Sequence, residues 1–284
     1  MRLLKRRVGK KEYYYLQHSF RKKGKVITKE RYLGNKVPEN VDSIKSSFKK
    51  EVKQDINKKL ETIRAHFQAE WVRIPESAKK RELEEISIAF TYNTNAIEGS
   101  TITLAEAREI IHDKIAPNKS LRDVRETEAH SKVFLEMLER KEKVTDNLIL
   151  KWHTDIFGET KSDIAGKYRD YLVHVGIYRA PDWQEVNRMM DELITFIERS
   201  KKMNPVELAA RTHYQFEKVH PFGDGNGRIG RLLMNHILWH SGYPMLIIEY
   251  KKRKSYYKAL QKDEEGFVSY FIRRYLTVHK KRIQ

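Results

Sequence analysis

Beyond residue 40 the apolar positions recur three and four apart. Ile44, Phe48, Val52, Ile56, Leu60, Ile63 and Phe67 form one stripe, which predicts an amphipathic helix of about seven turns with that stripe on a core. Pro75 interrupts the pattern, and a second helix is expected from about Ala78 to Ile97, ended by Gly99. Thr103-Leu104-Ala105-Glu106 is a capping box that starts another. Helical patterning then covers Asp123–Arg140, Asp146–Phe157, Trp183–Ser200 and Pro205–Val219, the last with proline in its first turn, where the missing N–H costs nothing. Only Tyr171–Ile177 breaks the run, and Leu172-Val173-His174-Val175-Gly176-Ile177 reads as one arm of a short β-hairpin.

The first 33 residues obey a different rule. Glu12–Phe20 and Lys25–Leu33 are β-favouring, Arg21-Lys22-Lys23-Gly24 is a turn signal, and Leu3–Val8 supplies a third strand. So short a sheet needs a partner to pack on. Gly34–Pro38 is a linker. The fold class is mainly α with a small N-terminal β-element. The expected organisation is a basic β-element over 1–36, linker and long helix over 37–84, and a helical core over 85–280.

Charge adds a second boundary. The formal net charge is +18, and residues 1–60 hold 19 Lys/Arg against 6 Asp/Glu. The excess belongs to the N-terminal part, and it makes nucleic acid a candidate partner there. The absence of cysteine excludes disulfides and thiol chemistry. No apolar run approaches the roughly 20 residues needed to span a bilayer, and the basic Met1–Arg7 lacks a signal peptide's apolar region. A cytoplasmic protein is expected.

The chemistry concentrates in His220-Pro221-Phe222-Gly223-Asp224-Gly225-Asn226-Gly227-Arg228-Ile229-Gly230-Arg231. A helix runs into His220, and Pro221 stops it. The glycines allow a tight turn, from which a new helix opens at about Asn226. Its first N–H groups lack helical partners and form an anion site. Arg228 and Arg231, three apart, share a face and can reach phosphates. Asp224 stands beside this cradle, placed for a hard cation that phosphates also ligate. There is no Gly-Lys-Ser/Thr of a P-loop, and Arg228 stands where an EF-hand would need an oxygen ligand.

This run resembles the signature of the Fic (Fido) family, His-x-Phe-x-Asp/Glu-Gly-Asn-Gly-Arg-x-x-Arg, at every specified position. The likeness covers roughly residues 85–280. It implies a Fic-type helical bundle with a β-hairpin flap, transferring AMP from ATP to a hydroxyl of a target protein. By that resemblance His220 is the catalytic base, Asp224 binds Mg²⁺, and Gly225, Asn226, Gly227, Arg228 and Arg231 hold the nucleotide. Gly227 stands where the phosphotransferase branch, the death-on-curing toxins, has Lys, so adenylylation is favoured. Thr94-Asn95-Ala96-Ile97-Glu98-Gly99 resembles the family's inhibitory motif, Ser/Thr-x-x-x-Glu-Gly/Asn. Thr94, Glu98 and Gly99 are thereby inhibitory residues on a helix of about 85–99, and Glu98 competes with the γ-phosphate for Arg231. Gly166-Lys167-Tyr168-Arg169 and the following hairpin resemble the flap, and Tyr256-Tyr257 resembles a tyrosine pair bordering adenine, with Tyr257 assigned to the nucleotide.

The expected partners are a protein bearing a Ser, Thr or Tyr hydroxyl, the protein itself, and a second copy in a homodimer. Two alternatives stand beside the adenylyltransferase: a deAMPylase using the same site, and a nucleic-acid-binding regulator with a vestigial Fic core. His236 and His240 share the spacing of helical zinc ligands, but no third ligand accompanies them. His213 is expected to pack or hydrogen-bond.

Overall fold

The computed structural model describes residues 2–22, 25–176 and 178–283. Lys23 and Gly24, expected at a turn, lie outside the described residues. The chain divides into two compact units, Met1–Lys59 and Leu60–Gln284.

The first unit is an antiparallel sheet in the order β1 (Arg2–Val8), β2 (Lys11–Lys22), β3 (Lys25–Gly34). It is followed by α1 (Val41–Arg73), and the division between units falls within that helix. The sheet packs on the first turns of α1. Leu16 is fully buried with Phe48 and Val52, and Leu33, Ile44 and Ile56 close around them. The expected stripe of α1 therefore acts as predicted, with Phe48 and Val52 serving this small core and Leu60 and Ile63 buried in the second unit. Arg31 pairs with Glu51 at 2.6 Å, and Lys29 with Asp55.

The second unit is helical. After α1 come α2 (Glu76–Ile97), α3 (Leu104–Arg108), α4 (Leu121–Glu139) and α5 (Asp146–Phe157). A hairpin follows, β4 (His174–Val175) with β5 (Tyr178–Arg179). Then come α6 (Val186–Arg199), α7 (Pro205–Val219), α8 (Asn226–His240), α9 (Arg253–Leu260) and α10 (Glu264–Val278). The mainly α architecture with small sheets matches the expectation. Thr103 and Glu106 form the reciprocal capping box, and Ser120, Thr145, Asn204 and Asp263 cap α4, α5, α7 and α10. Past Arg108 the chain widens into a π-turn that ends at Lys114, whose φ is +58°.

The hairpin is shorter than predicted. The residues read as one arm contain the turn itself, with Gly176 at φ +63°. Ile177 lies outside the described residues.

α8 is the centre of the unit. Every residue from Arg228 to Leu238 is buried, as a helix enclosed on all sides must be. Phe90 of α2, Phe134 of α4, Trp152 of α5, Met190 of α6, Phe216 of α7 and Leu232 of α8 belong to one core cluster. That enclosure fixes the start of α8 rigidly against α2, α4, α5 and α7.

Candidate active site

The His220–Arg231 run is a turn between two buried helices. His220 caps α7 with φ +50°, a left-handed conformation unusual for a residue with a side chain. Arg169 holds it there. This guanidinium, 4 % exposed, donates to the carbonyls of His220 at 2.8 Å, Tyr171 at 3.0 Å, Pro181 at 2.7 Å and Val219 at 3.3 Å. Its own N–H donates to the Pro221 carbonyl at 2.9 Å. Arg169 thus ties the base of the hairpin to the end of α7. Burial holds the His220 imidazole below its ordinary pKa, while the Glu217 carbonyl and the Glu98 carboxylate oppose that shift. The ring is neutral near pH 7, the form that accepts a proton.

The turn closes on itself through Asn226. Its side chain accepts from the Phe222 N–H and donates to the Phe222 carbonyl, both at 2.8 Å. The amide expected to face a ligand is therefore spent on shaping the loop. The Phe222 ring stacks on His153 with centroids 3.8 Å apart. His153 Nδ1 accepts from the Gly166 N–H, so Nε2 carries the proton and donates to the Asp224 carbonyl, each at 3.0 Å. Gly225, the N-cap of α8, has φ +80°, and a Cβ there would lie 2.5 Å from the Phe157 ring. No side chain caps α8, so its leading N–H groups are left to the site.

Three cations and two carboxylates flank this helix start on one side. Arg228 Nη1 donates to Glu126, a buried carboxylate on α4, and its guanidinium lies 4.3 Å from the Phe157 centroid. Lys161 bridges Glu126 Oε1 at 2.9 Å and Asp224 Oδ2 at 2.8 Å. Arg122 pairs with Glu126 at 3.1 Å and approaches Asp224 at 3.9 Å. Burial works against the Glu126 carboxylate, but Arg228 and Lys161 outweigh it and bring its pKa down to about 2. Asp224 is likewise held below the ordinary carboxylate value: desolvation opposes ionisation and Lys161 overrides it. Its side chain is 49 % exposed.

On the other side stands Arg231, 1 % exposed. Its Nε donates to Thr94 Oγ1 at 2.6 Å, and Nη2 donates to the Thr94 carbonyl at 3.2 Å and to Glu98 Oε1 at 2.6 Å. Burial disfavours its charge, and the Glu98 carboxylate restores it. The carboxylate lies directly against the beginning of α8. A Cβ on Gly227 would sit 2.2 Å from Glu98 Oε1. The Tyr257 hydroxyl donates to the Ile97 carbonyl at 3.1 Å, and its ring is 40 % exposed. Tyr256 is buried and its hydroxyl meets His213 Nε2 at 2.7 Å, the hydrogen-bonded role expected for that histidine.

The structure thus brings together His220, Asp224, Gly225, Asn226, Gly227, Arg228, Arg231, Thr94, Glu98 and, through Ile97, Tyr257. Gly99 ends α2 with φ +95°. His236 and His240 each place Nε2 on a backbone carbonyl, Glu142 at 2.8 Å and Met137 at 2.7 Å. Sequence reasoning missed Glu126, Lys161 and Arg169 as contacts, and also Glu217. The Glu217 carboxyl is pushed up to about 7 by burial, with Arg231 drawing it down and Glu98 raising it.

A helical body wrapped around a buried α7–turn–α8 unit, with an uncapped helix start between a neutral histidine and paired arginines, defines a Fic-type domain. A model of the Fic/DOC family matches residues 143–238, which include the whole turn, and this chain belongs to that family. It is 34% identical over 201 residues to the protein adenylyltransferase Fic of Nematostella vectensis, covering 68% of this chain and 47% of that protein. The protein of the same name from Drosophila ananassae is 34% identical over 203 residues, 69% of this chain and 41% of its own. The chain spans about half or less of the length of these relatives. Among solved structures, Fic-1 from C. elegans superimposes with a TM-score of 0.70 at 26% identity, covering 86% of this chain and 75% of its own. A Fic-domain-containing signalling protein from Bacteroides thetaiotaomicron superimposes with a TM-score of 0.68 at 25% identity, over 79% of this chain and 97% of its own. No helix of the described residues is long and apolar enough to cross a membrane.

Proposed function

We propose that this chain is a protein adenylyltransferase that moves AMP from ATP to a protein hydroxyl and is held in check by Glu98. One observation carries the reading. The Glu98 carboxylate is bound to Arg231 and lies against Gly227 at the uncapped start of α8, where an anionic group would otherwise meet the helix N–H groups and a buried guanidinium.

The neutral His220 imidazole takes the proton of the incoming hydroxyl. The hydroxyl oxygen bonds to the α-phosphorus as the bond to the β-phosphate oxygen breaks, and pyrophosphate leaves. The N–H groups of Asn226, Gly227 and Arg228 stabilise charge that builds on the phosphates, and the Asn226 side chain acts by holding the loop. Arg231, once released, is the cation for the outer phosphates. Asp224 suits Mg²⁺, a half-exposed carboxylate beside a phosphate cradle. That ion takes one or two carboxylates and completes its shell with phosphate oxygens and water. When bound it neutralises phosphate charge. Tyr257 borders the nucleobase.

Incubation with labelled ATP and Mg²⁺ tests the reading. Glu98→Gly should label itself more strongly than wild type, and His220→Ala should not label. Equal labelling of Glu98→Gly and wild type removes the brake, and full labelling by His220→Ala removes the base. A second reading, removal of AMP, rests on the other Glu98 oxygen. Arg231 engages Oε1 alone, and the side chain is 31 % exposed, so a water can be oriented there. AMP released from a modified protein by wild type but not by Glu98→Gly supports it, and equal release by both overturns it.

A further inference from the structure

The first unit has no part in that chemistry, and its sheet has two unlike faces. One packs on α1 through Leu16. The other is open. Register places Arg6 opposite Tyr13 and Tyr15 opposite Tyr32. On that face the Tyr13 and Tyr15 rings lie 6.2 Å and 5.2 Å from Tyr32, and the Arg6 guanidinium lies 4.9 Å from the Tyr15 centroid. Tyr32 is 56% exposed.

We propose that this open face docks duplex DNA, with the sheet in the major groove and the β1–β2 turn on the phosphates. Three observations meet here. The charge is local: residues 2–34 hold 12 Lys/Arg against 2 Asp/Glu. Both acids are consumed internally, Glu12 by Lys5 at 2.7 Å and Glu30 by Arg6 at 2.6 Å. Arg7, Lys10 and Lys11 at the turn are exposed and have no acidic partner among the described residues. The shape fits, because a major groove about 12 Å wide admits a two-stranded β-ribbon, and β1 and β2 form such a ribbon with strands about 4.8 Å apart. The aromatic geometry selects the duplex. The tyrosine rings are already packed against one another and against Arg6, which is itself bound to Glu30, so the ring edges and hydroxyls are what the face presents. Those groups hydrogen-bond base edges and phosphates, whereas a single strand needs free ring faces for stacking. A basic edge strand also discourages association between sheets, but that task does not call for tyrosines on the open face.

Fluorescence anisotropy of the full chain, without nucleotide, tests this with a labelled mixed-sequence duplex and with one of its strands alone. The duplex should bind more tightly than the strand. Its affinity should fall steeply between about 50 mM and about 200 mM salt. Arg7→Gln/Lys10→Gln/Lys11→Gln should weaken it about tenfold or more and lower the slope of log K against log salt by about 2.7, near 0.9 per lost phosphate contact. Tyr32→Ala should weaken binding and leave the slope unchanged. Lys132→Gln/Lys201→Gln/Lys202→Gln removes the same charge from the second unit and should change little. No binding at the lower salt overturns the proposal. So does tighter binding of the single strand, or an equal loss from the second-unit variant. Circular dichroism of each variant confirms that the sheet is retained.

Discussion

Replacing Glu98 by Gln keeps the shape of the side chain and removes its charge. Two effects of opposite sign should follow. The fold loses a charge-assisted hydrogen bond to Arg231, a guanidinium buried to 1 % exposure. Breaking a fully buried pair costs about 3–5 kcal/mol. Here Glu98 keeps 31 % of its side-chain surface in water, the amide oxygen still accepts, and Thr94 retains its two bonds to the guanidinium. The loss should be about 1–2 kcal/mol. At about 2–4 °C per kcal/mol for a unit of this size, Tm should fall by roughly 2–8 °C. ATP binding should move the other way. Unit like charges about 4 Å apart at an effective dielectric of 20 repel by about 4 kcal/mol, and solvent at a site this open halves that. Relief of about 2 kcal/mol predicts ATP binding roughly 30-fold tighter. ADP has no γ-phosphate and should gain less than about threefold. Calorimetric titration with each nucleotide, with His220→Ala included to prevent turnover, measures both. An equal gain for ADP and ATP, or an unchanged ATP affinity, would refute the competition between Glu98 and the γ-phosphate for Arg231.

Gly227→Ala should displace Glu98, since the new Cβ would lie 2.2 Å from Oε1, yet label less than Glu98→Gly because the methyl also crowds the phosphates; labelling equal to Glu98→Gly would mean that the cradle lies elsewhere. Arg169→Ala should cost about 3 kcal/mol or more, because buried carbonyls at the His220 turn lose their donor, and Arg169→Lys should not rescue it; a melting temperature within a degree of wild type would contradict this. His130 and His213 resist protonation down to about 3, and His153, His236 and His279 to about 4, chiefly through burial, against an ordinary value of 6.5. The unfolded chain therefore binds more protons between about 4 and 6.5. Stability should be complete above that window and fall as pH drops through it, which denaturant titration at pH 7, 6 and 5 checks. Glu217 has the reverse sign. Its folded value of about 7 stands above the ordinary 4.5, so its contribution is lost as pH rises through 7, and Glu217→Gln should stabilise the protein at pH 8 by about 1–3 kcal/mol; no gain at pH 8 over pH 5 would count against that burial.

Much of the fold was legible because its signals are local. The stripe from Ile44 to Phe67, the Thr103–Glu106 box and Pro205 at the head of α7 act within a few residues, and each became the predicted element. The His220–Arg231 run was legible for the same reason: a stop, a glycine turn and a helix start follow one another along the backbone. The hairpin boundary failed because the turn lies within β-favouring residues, where one left-handed glycine outweighs their propensity.

Chain order also determines that Arg228 and Arg231 share the first turns of one helix, and the Thr94–Gly99 motif named Glu98 as a rival for Arg231. The rest was decided by packing. Glu126 reaches Arg228 across 102 positions and Glu98 reaches Arg231 across 133. Lys161 bridges Glu126 and Asp224, and Arg169 gathers carbonyls from three stretches of the chain, at Tyr171, at Pro181 and over Val219–Pro221. Glu126 and Lys161 have no local marker, because a lone Glu or Lys on a helix or loop reads as surface charge. These contacts form because enclosure of α8 removes water from around two guanidinium groups, and a buried cation must find its acceptors wherever the fold supplies them.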